Sequence, residues 1–282
     1  MSSPSRRQFL SVAAASAVVP AVAGLRGASA APANPAKGLK IGVASYSLRK
    51  FPFDKMLAAC QAMDVKYLTL KDVHLPRTEP LDATRATRQK IEAAGITVMG
   101  GGTISWTVND EQIIRKDFEY AKAGGFATIV CAPSPDVLDT VEKLAKEYDI
   151  KIAIHNHGPE DKYFPAPKDA LALISKRDPR MGLCIDIGHA ARAGADIVDS
   201  VRIAGPRLHD LHMKDLADPK KKDSQVAVGK GALDIPGLFR ALLKSGFAGH
   251  VSLEYEIDAD DPVVGMRESL AYMRGVQAAL LT

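Results

Sequence analysis

Three cysteines, one tryptophan and a formal net charge of only +4 in 282 residues each remove a class of protein. Cys60, Cys131 and Cys184 sit inside apolar patterns with no C-x-x-C spacing. A disulfide scaffold and a thiolate metal site are therefore unsupported, and buried inert thiols are expected. The Ala/Val-rich stretch 12–23 is the candidate for insertion into lipid, and it falls short of the roughly 20 residues that span a bilayer. Residues 1–30 hold Arg6, Arg7 and Arg26 and no acid, so the remainder carries only +1. A nearly neutral chain offers a nucleic-acid backbone no electrostatic attraction. Lys220, Lys221 and Lys222 lie between Asp218 and Asp223 and read as a solvated loop.

Residues 1–30 have the pattern of an export signal. Ser5-Arg6-Arg7-Gln8-Phe9-Leu10 is a twin-arginine sequence, 12–23 is its apolar segment, and Ala28-Ser29-Ala30 is a small-residue cleavage site. A short membrane anchor is the alternative, and length argues against it. The expectation is a periplasmic or secreted protein with no membrane association after cleavage. Residues 31–38 form an Ala/Pro/Asn linker, and a single domain fills 39–282. Its size suits one (β/α)₈ barrel, for which about 250 residues is typical.

Within that domain, short apolar runs at 41–45, 67–70, 97–100, 128–131, 152–155, 182–186, 208–212 and 251–254 alternate with amphipathic helical patterns. The helical patterns include 54–63, 110–123, 136–148, 167–175 and 236–244, and Gly95, Gly124-Gly125 and Gly246 stand where helices should stop. Alternation of this kind requires parallel strands joined by right-handed crossovers. The longest connections, 71–80, 157–165 and 213–234, all follow strands. They therefore shape the carboxyl face of a barrel, where such enzymes place their chemistry. A doubly wound open sheet is the rival fold, but it has no reason to collect polar residues at so many strand ends.

Four of those runs end in a potential metal ligand: His155, Asp186, His212 and Glu254. Two imidazoles and two carboxylates suit Mn²⁺, Co²⁺, Zn²⁺ or Fe²⁺ better than Ca²⁺. An ion so held would grip vicinal oxygens of a sugar, polarise a carbonyl and acidify the adjacent C–H. Each residue alone has a plainer reading as a satisfied strand-end group, and His157 or His209 can simply hydrogen-bond locally. Four at four strand ends is the stronger signal.

The motifs Tyr46-Ser-Leu-Arg49, Ala153-Ile-His-Asn-His157, Cys184-Ile-Asp-Ile-Gly-His189, Leu208-His-Asp-Leu-His-Met-Lys-Asp215, Val228-Gly-Lys-Gly-Ala-Leu-Asp234 and Ser252-Leu-Glu-Tyr-Glu256 resemble those of the xylose isomerase-like barrel superfamily. That superfamily includes sugar phosphate isomerases, ketose 3-epimerases, inosose dehydratases and hydroxypyruvate isomerases. The resemblance runs from Lys40 to the C-terminus. It implies that Asp186, His212 and Glu254 stand at three of the family's four metal-ligand positions and that His189 faces substrate, with helix capping as the alternative for His189. One departure stands out: the epimerases' fifth-strand glutamate is His155 here. The matched carboxylate pair for proton exchange on opposite faces of a substrate is therefore lost.

The candidate catalytic residues are Glu254, His155, His189 and Lys71. Lys71 is either a base made available by partial burial or one half of a salt bridge. Candidate substrate contacts are Tyr46, His74, Trp106 and Lys214, with Trp106 either an aromatic plate over a sugar or a packed lid residue. The leading expectation is an exported, divalent-metal-dependent sugar isomerase or epimerase that removes a proton next to a carbonyl. A lyase or dehydratase that expels a β-substituent, for example from a 3-keto-glycoside, is the alternative, as is a non-catalytic sugar-binding barrel. The partner is a small sugar, and self-association is left open.

Overall fold

The computed structural model describes residues 38–282, so the export signal and all but the last linker residue lie outside the described residues. Eight parallel strands close into a barrel, and the chain runs through them alternating with helices. The strands are β1 (Lys40–Ala44), β2 (Tyr67–Leu70), β3 (Thr97–Trp106), β4 (Thr128–Pro133), β5 (Lys151–His155), β6 (Met181–Asp186), β7 (Leu208–Met213) and β10 (His250–Leu253). Between the last two lies a small antiparallel pair, β8 (Asp215–Leu216) and β9 (Gln225–Val226), inside the long loop after β7. Ring closure comes from β1 pairing with β10 on one side and β2 on the other. No described helix is long and apolar enough to cross a membrane.

Nine α-helices occur among the described residues: α1 (Phe53–Ala62), α2 (Leu81–Ala93), α3 (Glu111–Gly124), α4 (Leu138–Tyr148), α5 (Pro167–Ile174), α6 (Ile187–Arg192), α7 (Ile197–Ala204), α8 (Ile235–Lys244) and α9 (Val263–Leu280). α8 shows why. Its buried Ile235, Leu238, Phe239 and Leu242 recur every three or four residues, so one stripe meets the barrel. Each such side chain stabilises the fold by about 1.5–3 kcal/mol when fully buried. Asp234 caps its start by accepting from the Gly237 N–H, and Pro236 sits in its first turn, where no backbone donor is needed.

Strand side chains alternate between the helices and the barrel axis. Ile152, Ile154, Leu183, Ile185, Leu211, Met213, Val251 and Leu253 join the main apolar core between barrel and helices. The opposite faces of the same strands carry Ala153 and His155, Cys184 and Asp186, Asp210 and His212, and Ser252. Val130, Ala153 and Cys184 form a small apolar cluster of their own, separate from the main core. The inner floor thus combines small residues with buried polar ones, among them Asp210, Ser252, His250 and Thr69. Cys60, Cys131 and Cys184 are free and buried, and burial pushes the Cys60 thiol up to about 12.

Candidate metal centre and active site

His155 ends β5, Asp186 ends β6, His212 lies near the end of β7, and Glu254 follows β10 directly. The barrel brings one ligand atom from each to within 4.8 Å of all the others, and all four residues are buried. His212 Nδ1 lies 2.9 Å from His155 Nε2 and 3.1 Å from Glu254 Oε2. Asp186 Oδ2 is 3.6 Å from His155 Nε2.

Short polar clamps hold this geometry. Asn156 reaches across to the end of β6, its Oδ1 accepting from the Asp186 N–H and its Nδ2 donating to the Asp186 carbonyl, both at 3.0 Å. Asp186 Oδ1 also accepts from the His189 N–H at 2.9 Å, capping α6. Gln225 grips both sides of Tyr255, donating to the Glu254 carbonyl and accepting from the Glu256 N–H. Ser47 donates to the Leu253 carbonyl and accepts from the Tyr255 N–H, so the Tyr46-Ser-Leu-Arg49 motif ties the start of the barrel to its end. In the glycine-containing loop, Asp215 accepts backbone N–H groups from Gly229, Gly231 and Leu233. A Cβ on Gly231 would lie 2.1 Å from Asp215 Oδ1, so that glycine is required by an internal carboxylate.

The electrostatics are those of a compact charge cluster. Burial alone would raise the Asp186 carboxyl, but Lys214, His189 and His155 hold it well below the usual carboxylate range. Glu254 is likewise driven up by burial and pulled well below by His212 and Lys214. His155 is pushed far down by burial and is neutral. His212 is pushed down by burial, but Glu254, Asp210 and Asp186 bring it above its ordinary value.

These residues fit a divalent ion. Two nitrogen and two oxygen donors converge from four strands, the ligand mixture of a borderline-soft cation. The Nε2 of His155 and Nδ1 of His212 point at each other, an arrangement in which at least one must carry a proton unless a cation lies against both. Asp186 Oδ2 makes no directed hydrogen bond although it is buried; its contact with the Lys214 ammonium at 2.9 Å is an ion pair outside hydrogen-bond geometry.

Above the cluster opens a cavity of about 290 Å³ lined by Tyr46, Lys71, Thr103, Ser105, His155, His157, His189, Glu254 and Glu256. Lys71 donates to Thr103 Oγ1 at 3.1 Å and lies over the Tyr46 ring at 5.0 Å. It has no carboxylate partner among the described residues, so the salt-bridge alternative is absent. His189 turns its side chain to the cavity and gives its backbone N–H to the Asp186 carboxylate, so the cap of α6 is Asp186 and not His189. His157 and Glu256 are additions that strand-end reasoning missed. His157 does bond locally, to Asp161 at 3.0 Å, yet it also lines the wall.

Three expected substrate contacts lie elsewhere. Trp106 is 2 % exposed, stacks on Phe118, and donates its indole N–H to Asp117 Oδ2 at 2.8 Å. It belongs to the final residue of β3, on the helix side, because the strand runs six residues beyond the expected end. His74 is buried against the Phe51 carbonyl and borders a separate surface cavity with Pro52, Pro76 and Glu79. Lys214 is 5 % exposed and locked among Asp186, Glu254 and Glu256 instead of lining the cavity. A larger space of about 510 Å³ opens at the amino end of the barrel beside Lys151, Arg180 and His209. None of the four donors lines it, and the carboxyl end is where barrel enzymes keep their reactive groups.

The sequence profile of the family described as Xylose isomerase-like TIM barrel matches residues 57–276. The chain belongs to that family. A solved protein of Parabacteroides distasonis is 25 % identical, with a TM-score of 0.66 covering 84 % of this chain and 98 % of that one. D-psicose 3-epimerase solved in the presence of D-fructose has a TM-score of 0.69 at 15 % identity, covering 85 % of this chain and 99 % of the other, a likeness of fold alone. An inosose dehydratase of Mesomycoplasma hyopneumoniae is 24 % identical over 158 residues, 49 % of this chain and 52 % of that protein. This chain thus spans about half of that dehydratase. Solved structures that share the fold include sugar epimerases, and the sequence relatives include inosose dehydratases.

Proposed function

We propose that the protein is a divalent-metal-dependent enzyme that removes a proton next to a carbonyl of a sugar or keto-sugar, with isomerisation or epimerisation as the outcome. The observation that supports this most directly is the convergence of His155, Asp186, His212 and Glu254 at the base of a polar cavity. These four residues would hold the ion, which supplies Lewis acidity to a substrate carbonyl and its neighbouring hydroxyl. Glu254 lines the cavity and is held ionised, so its carboxylate is open to a proton, at reduced basicity. His189 and His157 form the facing wall and orient hydroxyls by hydrogen bonds. Lys71 stands at the mouth with an unpaired ammonium, suited to stabilise negative charge on the substrate or return a proton.

A second reading is elimination, in which one-sided proton removal is followed by loss of a β-substituent. It is favoured by a specific observation: His155, at the position of the epimerases' second carboxylate, is buried, neutral and turned to His212. The sequence relatives include an inosose dehydratase, which agrees with that chemistry. Incubation of ion-loaded protein with ketoses and with 3-keto-glucosides in D₂O separates the readings. An epimeric sugar with deuterium at one carbon supports isomerisation; a released aglycone with an unsaturated sugar supports elimination. Metal-dependent sugar binding with no exchange would make the protein a non-catalytic binder, and no stoichiometric ion in purified protein would refute the metal reading itself. We also propose twin-arginine export, tested by fractionating cells that express the wild type and an Arg6→Lys/Arg7→Lys variant; retention of the wild type in the cytoplasm would refute it.

A further inference from the structure

Lys214 brings into the site a positive charge that occupies the same oxygens a divalent ion would use. Its ammonium lies 2.9 Å from Asp186 Oδ2 and 3.1 Å from Glu254 Oε2, carboxylates that supply half of the four-donor cluster. A third carboxylate, Glu256, stands 2.6 Å away on the outer side, 38 % exposed and lining the cavity. The ammonium is therefore suspended between an inner pair of acids and an outer one. With the lysine only 5 % exposed, neither it nor the inner acids have water as a substitute partner.

We propose that Lys214 is an exchangeable resident cation. In metal-free protein it offsets part of the charge of Asp186 and Glu254; when a divalent ion takes their oxygens it withdraws onto Glu256. The inference rests on the metal reading above. Two cations on one pair of oxygens repel strongly in a water-poor pocket. The lysine stem is flexible, and an anchor for its retreat is already in contact. The device keeps the empty site folded and its acids less repulsive, at the expense of some ion affinity. It also keeps Glu256 in the ion pair it already makes, so that this cavity carboxylate does not become an extra ligand on loading.

The test is calorimetric titration of Mn²⁺ and Zn²⁺ into chelator-stripped wild type, Lys214→Met, Glu256→Gln and the double variant, at one pH and ionic strength, with melting curves of each. Lys214→Met should bind the ion at least about tenfold more tightly, because the repelling charge is gone, and should melt below wild type when metal-free. Glu256→Gln removes the refuge and should weaken binding several-fold in wild type, but by less than about twofold once Lys214 is Met, since the two effects act through one contact. Unchanged or weaker ion binding by Lys214→Met overturns the exchange, as does a Glu256→Gln effect of equal size in both backgrounds. If metal-free Lys214→Met does not fold, the affinity of Glu256→Gln decides, and an unchanged value overturns the idea. Wild type that binds while Lys214→Met binds no better sinks the exchange alone; absence of binding in both sinks the metal reading with it.

Discussion

Asp210 is a carboxyl group in the barrel interior, 1 % exposed and directly alongside His250 in the β7–β10 register. It has no cation in ion-pair contact among the described residues, and its Oδ1 accepts only from the Leu211 N–H at 2.7 Å. Burial is the main reason its pKa is pushed up from 3.8 to about 7, with Glu254 adding to the rise and His212 opposing it. The sign follows directly. Between those two values the unfolded chain ionises Asp210 and the folded chain does not, so this group costs stability as pH rises through that window. Asp210→Asn keeps the shape and the Leu211 acceptor but cannot ionise. The variant's stability minus that of wild type should therefore grow by about 3 kcal/mol between pH 4.5 and 7.5. Urea unfolding in the presence of chelator at four pH values across that range measures it. Taking the difference removes the opposite trend from Asp186 and Glu254, whose depressed values favour the fold at higher pH. A difference that stays flat would show that Asp210 is ionised and compensated in the fold, and the reasoning would fail.

Trp106→Phe keeps the stack on Phe118 but leaves Asp117 without its indole donor, so stability should drop by about 1–3 kcal/mol while turnover stays at the wild-type value; a selective loss of sugar binding would restore Trp106 to the site. Lys71→Met should lower turnover by about 10²-fold or more if the ammonium moves a proton, with ion affinity unchanged, and a change confined to KM would make Lys71 a substrate grip instead. Because His212 must lose its Nδ1 proton to ligate, and its neighbours hold its pKa above the ordinary 6.5, Mn²⁺ affinity should fall by about tenfold per pH unit below that pKa. In metal-free protein the same shift has the opposite sign: its stabilisation is full below 6.5 and is lost as pH rises through the folded value. Calorimetry and unfolding from pH 5.5 to 8.5 check both halves, and ion affinity independent of pH would remove His212 from the ligand set. Glu254→Gln should abolish solvent-deuterium exchange into a bound ketose, and full exchange in that variant would assign the proton to another group.

The alternation of apolar runs and amphipathic stretches was enough to specify the barrel, because period-two and period-3.6 patterns are local and short strands between helices have few other ways to bury both faces. The strands at 67–70 and 182–186 match that reading closely. So do helices such as Ile235–Lys244, within a residue or two. Gly95 marked only where α2 stops and His189 only that a helix follows β6, while the short α7 was not delimited, since Asp196 marks its start without a long apolar stripe behind it. The small β8–β9 pair escaped because two-residue strands have no period to detect.

Strand ends could be read from the order of residues, so His155, Asp186, His212 and Glu254 could be proposed together before any coordinates. What the order of residues could not determine was the direction in which each side chain points once the ring closes. Trp106 went to the helix side because β3 continues past its glycines, and Lys214 was drawn into the carboxylates because β7 and β10 are neighbours, their register partners 40 residues apart in the chain. Local pattern carries secondary structure and the identity of strand-end groups. Which charges meet, and which aromatic faces a substrate, depends on barrel closure and register, and those arise only from contacts between distant segments.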